Sequence, residues 1–415
     1  MNSTLIFMFL ILATFAACRF FSKFAESFIF LNSAIFAILG LALGSNMGFG
    51  ILNQTILEST NLFIYFIIGL LSFTSGLKID FKEFMKGHWF PSGLLSFVQL
   101  FFIFALMLLV FLLSLLITMT ETPSWSGLLE FTTKNEFKEM LLLVLLISIL
   151  SLFTSGLSHF FNHDHLKKHT PVFNATIKIS SLMQGIAIIA ASSTIFFIKL
   201  EHLADSEKFY SLVLRGFTVL LAPMLAILFA MFIGSMKNGP KIVLATLGGV
   251  LFASGSGLAI GHSIFILPFL MGLFLNIFFK ESSNLAFRLK SFEYPAGIFI
   301  IMITGAHLAP IRPSIIFIAA IYIGLRLFFY LYLANAFLGP FMGRQHFGLP
   351  MSGRGFIAQG PFIVGMALLL NSNLPTMGND LLVLALVSVI CNEYFGSRFA
   401  KDLMIDCDEL TPENK

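Results

Sequence analysis

Apolar stretches long enough to cross a bilayer recur along nearly the whole chain, separated by short polar joins. A hydrocarbon core about 30 Å thick takes roughly 20 apolar residues in helical form. On that measure the pattern predicts thirteen membrane spans, at 4–21, 28–45, 61–78, 90–119, 140–161, 171–198, 210–234, 242–260, 262–279, 294–310, 314–340, 353–371 and 380–399. Most joins are a few residues long, and the longest runs from Thr120 to Glu139.

Composition points the same way. Of 415 residues, 57% are hydrophobic and 11% charged, against about a quarter charged in soluble domains. The 52 phenylalanines suit surfaces that face lipid. The chain reads as an all-α polytopic membrane protein with no separate soluble domain. Its net charge of +4 is no sign of nucleic-acid binding, because most Lys and Arg sit in the joins. Cys18, Cys391 and Cys407 show neither disulfide nor metal-ligand spacing. Leu5 to Ala17 followed by Cys18 has the outline of a lipoprotein-type signal, but no basic residue precedes it. A first membrane helix is the expected reading.

The basic residues orient the spans. With thirteen crossings, seventeen Lys and Arg fall in the joins, the tail or the adjoining span ends on one side and five on the other. Cytoplasmic loops carry such an excess, so the N-terminus is expected outside and the C-terminus in the cytoplasm. Lys178, Arg215 and Arg326 stay within spans, and Glu393 is the acid well inside one. Intramembrane charge costs several kcal/mol and faces a partner or a polar interior, so these four positions are the first places to look for function.

Thirteen spans divide as six, one and six. That makes residues 1–199 a first repeat, 200–240 a linker span, 241–400 a second repeat and 401–415 a short acidic cytoplasmic tail. GLLSFTSGLKID (Gly69 to Asp80) and GIFIIMITGAHL (Gly297 to Leu308) support the division, each an apolar run with a late glycine and a polar turn. An odd linker span inverts the second copy, a build common in secondary transporters. GLPMSGRGFIAQGPFIVG (Gly348 to Gly365) disfavours an unbroken helix, because Gly360-Pro361 falls mid-span. Its counterpart is SLFTSGLS (Ser151 to Ser158). Backbone freed at membrane depth is tolerated where protein or a wet cavity satisfies it; the alternative is a proline kink used only for packing.

Four stretches carry a family resemblance: IIGLLSFTSGLKIDFKEF (Ile67 to Phe84), YPAGIFIIMITGAHL (Tyr294 to Leu308), IYIGLRLFFYLYLA (Ile321 to Ala334) and SGRGFIAQGPFIVG (Ser352 to Gly365). Together they resemble the second large branch of the monovalent cation–proton antiporters. The resemblance implies two inverted six-helix repeats, unwound helices crossing at spans five and twelve, a homodimer, and a mobile core that moves against a dimerisation panel. Its substrates would be protons and Na⁺, K⁺ or Li⁺, with no cofactor, in an inner-membrane protein of bacterial type.

One departure stands out. In the sixth span, KISSLMQGIAII (Lys178 to Ile189), the family's acidic pair aligns with Met183-Gln184. A carboxylate exchanges a proton for a cation, whereas a primary amide does not titrate and offers one carbonyl oxygen. Arg326 matches the family's buried cation, with Tyr322 and Tyr330 four residues to either side, yet it lacks the span-six acid as partner.

Other residues are therefore candidates for the site. Glu393, on the span that mirrors the sixth, is either a relocated carboxylate, paired with Arg326 or Lys178, or an interfacial residue near Arg398. Lys178 either snorkels at the cytoplasmic end or supplies positive charge in place of a bound cation. Thr154, Ser155 and Gln359 lie at the predicted breaks and could ligate an ion, although Ser and Thr also serve helix packing. FFNHDHLKKH (Phe160 to His169) is a zinc-binding or pH-sensing tract, or a solvated basic loop.

No enzyme motif is present. The expected function is cation–proton antiport by alternating access. The alternatives are a transport-inactive membrane sensor or binding protein, and a transporter of another solute such as an anion.

Overall fold

The computed structural model describes residue 14 and residues 29–79, 89–118, 135–155, 170–201, 205–236, 239–260, 264–279, 281–338, 353–374 and 377–409. The first predicted span and the histidine-rich loop lie outside these residues. Every regular element among them is helical: α1 (Ile29–Leu43), α2 (Gln54–Leu77), α3 (Trp89–Thr118), α4 (Asn135–Ser151), α5 (Pro171–Glu201), α6 (Asp205–Gly234), α7 (Gly239–Ala259), α8 (Ile266–Phe278), α9 (Ser282–His307), α10 (Pro313–Leu338), α11 (Phe362–Asn373) and α12 (Gly378–Asp406). They correspond in order to the second through thirteenth predicted spans. Seven are long and apolar enough to cross a membrane.

Helix ends follow local chemistry. The Asn53 side chain accepts from the Ile56 N–H at 3.0 Å and starts α2, as a polar N-cap does. Pro313 opens α10, where its missing N–H costs nothing. The start of α5 is capped from a distance: the buried Glu409 carboxylate accepts from Val172 N–H at 2.8 Å and Phe173 N–H at 3.0 Å. A negative charge there also complements the helix dipole. Arg354 and Asp406 pair at 2.9 Å, so the end of α12 grips two other elements.

The helices pack as two groups. One holds α1, α2 and α6–α9, the other α3–α5 and α10–α12, and each draws on both halves of the sequence. Packing is reciprocal in the first group: α2 lies against α8, and α1 lies against α9. The two late glycines of the repeat explain how closely these pairs approach. A Cβ on Gly76 would strike the Phe269 carbonyl of α8, and one on Gly305 would strike the Ala37 carbonyl of α1.

Both predicted breaks are real. α4 ends at Ser151 and the chain continues non-helically through Ser155. A short 3₁₀ turn at Gly353–Phe356 leads into non-helical backbone over residues 357–360, and α11 begins beyond Pro361. The broken spans belong to the second group, and the cavity described next lies between the two groups.

Candidate functional site

The two interrupted segments meet backbone to backbone, with the Ser155 N–H donating to the Ala358 carbonyl at 3.0 Å. Each break frees carbonyls that a continuous helix would have used. Arg326, fully buried on α10, collects them. Its Nε donates to Ser151 O at 3.3 Å, one terminal nitrogen donates to Phe153 O and Phe356 O at 3.3 Å each, and the other donates to Ile357 O. A planar guanidinium suits this task because its five N–H groups fan out in one plane. The Tyr330 ring lies 5.0 Å from the guanidinium carbon, and a turn of π-helix at Phe329–Leu333 follows. Arg326 thus finds its counter-charge in the negative ends of two half-helices. Four of the five N–H groups are committed to these carbonyls.

Amide side chains extend this network. Gln99 on α3 donates to Ser151 O at 2.7 Å and accepts from the Tyr330 hydroxyl at 2.7 Å. Gln359 donates to Leu150 O at 3.1 Å and to the Tyr322 hydroxyl at 3.3 Å. Its oxygen accepts from the Ser388 hydroxyl and from Asn392 Nδ2, the latter at 3.0 Å. The crossing is therefore fixed from α3, α10 and α12 at once.

Beside the crossing lies a cavity of about 190 Å³, room for several waters or a hydrated ion. The second group contributes Ser155, Gln184, Gln359, Gly360, Pro361 and Glu393 to its wall; the first contributes Ser33, Thr74, Ser75, Lys78 and Glu293 among others. Glu393 is 4% exposed, and its Oε2 accepts from the Ser33 hydroxyl at 2.5 Å. Glu393 lines the cavity. Among the described residues, the Ser155, Thr154 and Asn392 side-chain oxygens Oγ, Oγ1 and Oδ1 are buried without a hydrogen-bond partner. Unpartnered buried oxygens near a cavity are costly unless a ligand or water meets them.

At one end of the cavity Lys78 pairs with Glu293 at 2.8 Å. Burial pushes the Glu293 carboxyl up, but Lys78, a hydrogen bond from Thr74 and the nearby Lys290 together outweigh it and leave that group below its ordinary value. Lys290 stands alongside, its ammonium lowered by burial and by Lys78. This end lies just outside the tenth predicted span.

Of the residues singled out from sequence, Gln184, Glu393, Ser155 and Gln359 converge on the cavity. Met183 does not: it is buried in an apolar cluster with Leu95, Tyr330 and Phe356. Arg326 and Thr154 lie at the crossing, and Lys178 is half-buried off the cavity wall. Sequence reasoning missed Ser33, Glu293 and Asn392. Asn392 sits next to Glu393, and that adjacency was its available signal. Ser33 is one small polar residue in an apolar run, which carries no signal by itself.

No protein-family model matches the sequence, and no curated protein matches it. Among solved structures, the sodium proton antiporter MjNhaP1 from Methanocaldococcus jannaschii at pH 8 is similar over 96% of this chain and 100% of its own, with a TM-score of 0.63 and 15% identity. The chain has a sodium proton antiporter fold. Within that fold, the cavity of this chain presents an amide at Gln184 and a carboxylate at Glu393.

Proposed function

We propose that this chain is a secondary transporter that exchanges a monovalent cation, Na⁺ or K⁺, for protons across a bacterial inner membrane. Glu393 is the group that alternately holds the proton and the cation. One observation carries this reading: a buried carboxylate lines the same cavity as Gln184, beside the crossing of the two interrupted segments. Gln184 and Ser155 offer neutral oxygens to a partly dehydrated alkali ion, and the unwound backbone makes that depth polar. The two helix groups move against each other to expose the cavity alternately. The protein is a homodimer in this reading, with the N-terminus outside and two inverted repeats flanking the linker helix α6.

Two alternatives remain on different footings. An anion carrier needs a cation at the site; Arg326 is committed to carbonyls and Lys78 to Glu293, so Lys290 on the cavity wall is the group it would use. A transport-inactive sensor is separated by experiment. In liposomes holding a pH dye, Na⁺ or K⁺ pulses should drive proton movement with the wild type and not with Glu393→Gln. A silent wild type at every pH, or an unaffected Glu393→Gln, overturns the proposal. A response gained only in Gln184→Asp identifies a lost activity.

A further inference from the structure

The two helix groups meet across a largely apolar surface. Gly297 admits Pro361, and Gly365 lies against Ile68 and Ile300. Two side-chain hydrogen bonds among the described residues cross it. Asn379 accepts from the Ala309 N–H at 2.9 Å, and Ser33 donates to Glu393 at 2.5 Å. Residues 379 and 393 lie fourteen positions apart on α12, about 21 Å along a helix. The first bond is indifferent to what the cavity holds. The second ends on the group proposed to carry the load.

We infer that Ser33 is a coupling latch: a positioning residue on α1 that restrains the helix groups while the Glu393 carboxylate is empty. The inference rests on the exchanger reading above. A hydroxyl bonded to a bare carboxylate makes a short, charge-assisted bond about twice as strong as a neutral one. Sliding the groups apart in that state breaks this charge-assisted bond, which costs more than breaking a neutral one. A proton on Glu393 removes the charge, and a bound cation takes over the carboxylate's lone pairs. Either load weakens the hold of Ser33, so loaded carriers move and empty ones stay. Tight exchange needs that asymmetry, because an empty carrier that returns freely turns antiport into a leak.

The test uses full-length protein in liposomes, with NaCl or KCl as the driving salt and choline chloride as the cation-free medium. Acid-loaded liposomes in choline, with a permeant lipophilic anion dissipating the potential, report the return of the empty carrier as proton loss. In Ser33→Ala the cation-free leak should rise about tenfold relative to that variant's own salt-driven exchange, as expected when a barrier loses one charge-assisted hydrogen bond. Ser33→Thr, which keeps the hydroxyl, should restore tight coupling. If the wild type exchanges and Ser33→Ala is equally tight, the latch is overturned while the exchanger stands. If the wild type neither exchanges nor leaks, the exchanger reading fails and the latch fails with it. Melting temperatures test the contact separately: Ser33→Ala and Glu393→Gln should be non-additive in the double variant, and additive losses count against the latch.

Discussion

Ser155 on one interrupted span donates its backbone N–H to the Ala358 carbonyl on the other, and Arg326 bonds carbonyls on both sides of that contact. The half-helices are held by a side chain whose charge is used structurally. Glu393 lines the cavity beside this crossing.

Replacing Arg326 by Met should therefore damage folding more than it damages any ion-binding step. Several carbonyls lose their donor at about 1–3 kcal/mol each, so the variant should melt far below wild type in detergent. Lysine should recover only part of the loss, since an ammonium cannot reach four carbonyls as a planar fork does. A thermal melt of purified protein checks both.

Gly76→Ala and Gly305→Ala should behave alike although they lie more than two hundred residues apart. Each new methyl meets a backbone carbonyl of the partner helix, and overpacking of that kind costs about 1–3 kcal/mol. Similar drops in melting temperature support the reciprocal packing of α2 on α8 and α1 on α9. A harmless Gly305→Ala refutes it.

The Lys78–Glu293 pair gives a pH signature. The Glu293 carboxyl is lowered in the folded protein from an ordinary 4.5. Its contribution is then complete above that ordinary value and fades as pH falls through the lower folded one. Lys78→Met should destabilise the protein at neutral pH by about 1–3 kcal/mol, the worth of a hydrogen bond to a charged group. The gap from wild type should close in acid. Melting temperatures at stepped pH decide it.

Glu409 caps α5 from beyond the end of α12. Glu409→Ala should cost about 0.5–2 kcal/mol, the range for a lost N-cap, and should speed hydrogen exchange at the Val172 and Phe173 amides specifically. Unchanged exchange there would show the cap to be dispensable.

Much of this architecture was legible in the order of residues. Apolar length placed the helices, and Gly360-Pro361 with SLFTSGLS located both breaks. The late glycines at Gly76 and Gly305 marked the tight packing of a repeat. The absence of an acid at Gln184 was equally plain, because the identity of a side chain needs no fold to be known. These properties depend on short stretches of chain, where length, polarity and backbone freedom act locally.

What the sequence could not decide was which distant groups meet. Glu393 had two accounts, relocated carboxylate or interfacial residue, and it is the packing of α12 against α1 that seats its carboxylate beside Ser33. Met183 and Gln184 are neighbours in sequence, yet a turn of about 100° per residue sends one into apolar core and the other to the cavity. Arg326 needed a partner, and it found carbonyls that exist as acceptors only because two helices break side by side. Residue identity fixed the chemistry available, and long-range packing assigned it to a cavity or to the scaffold.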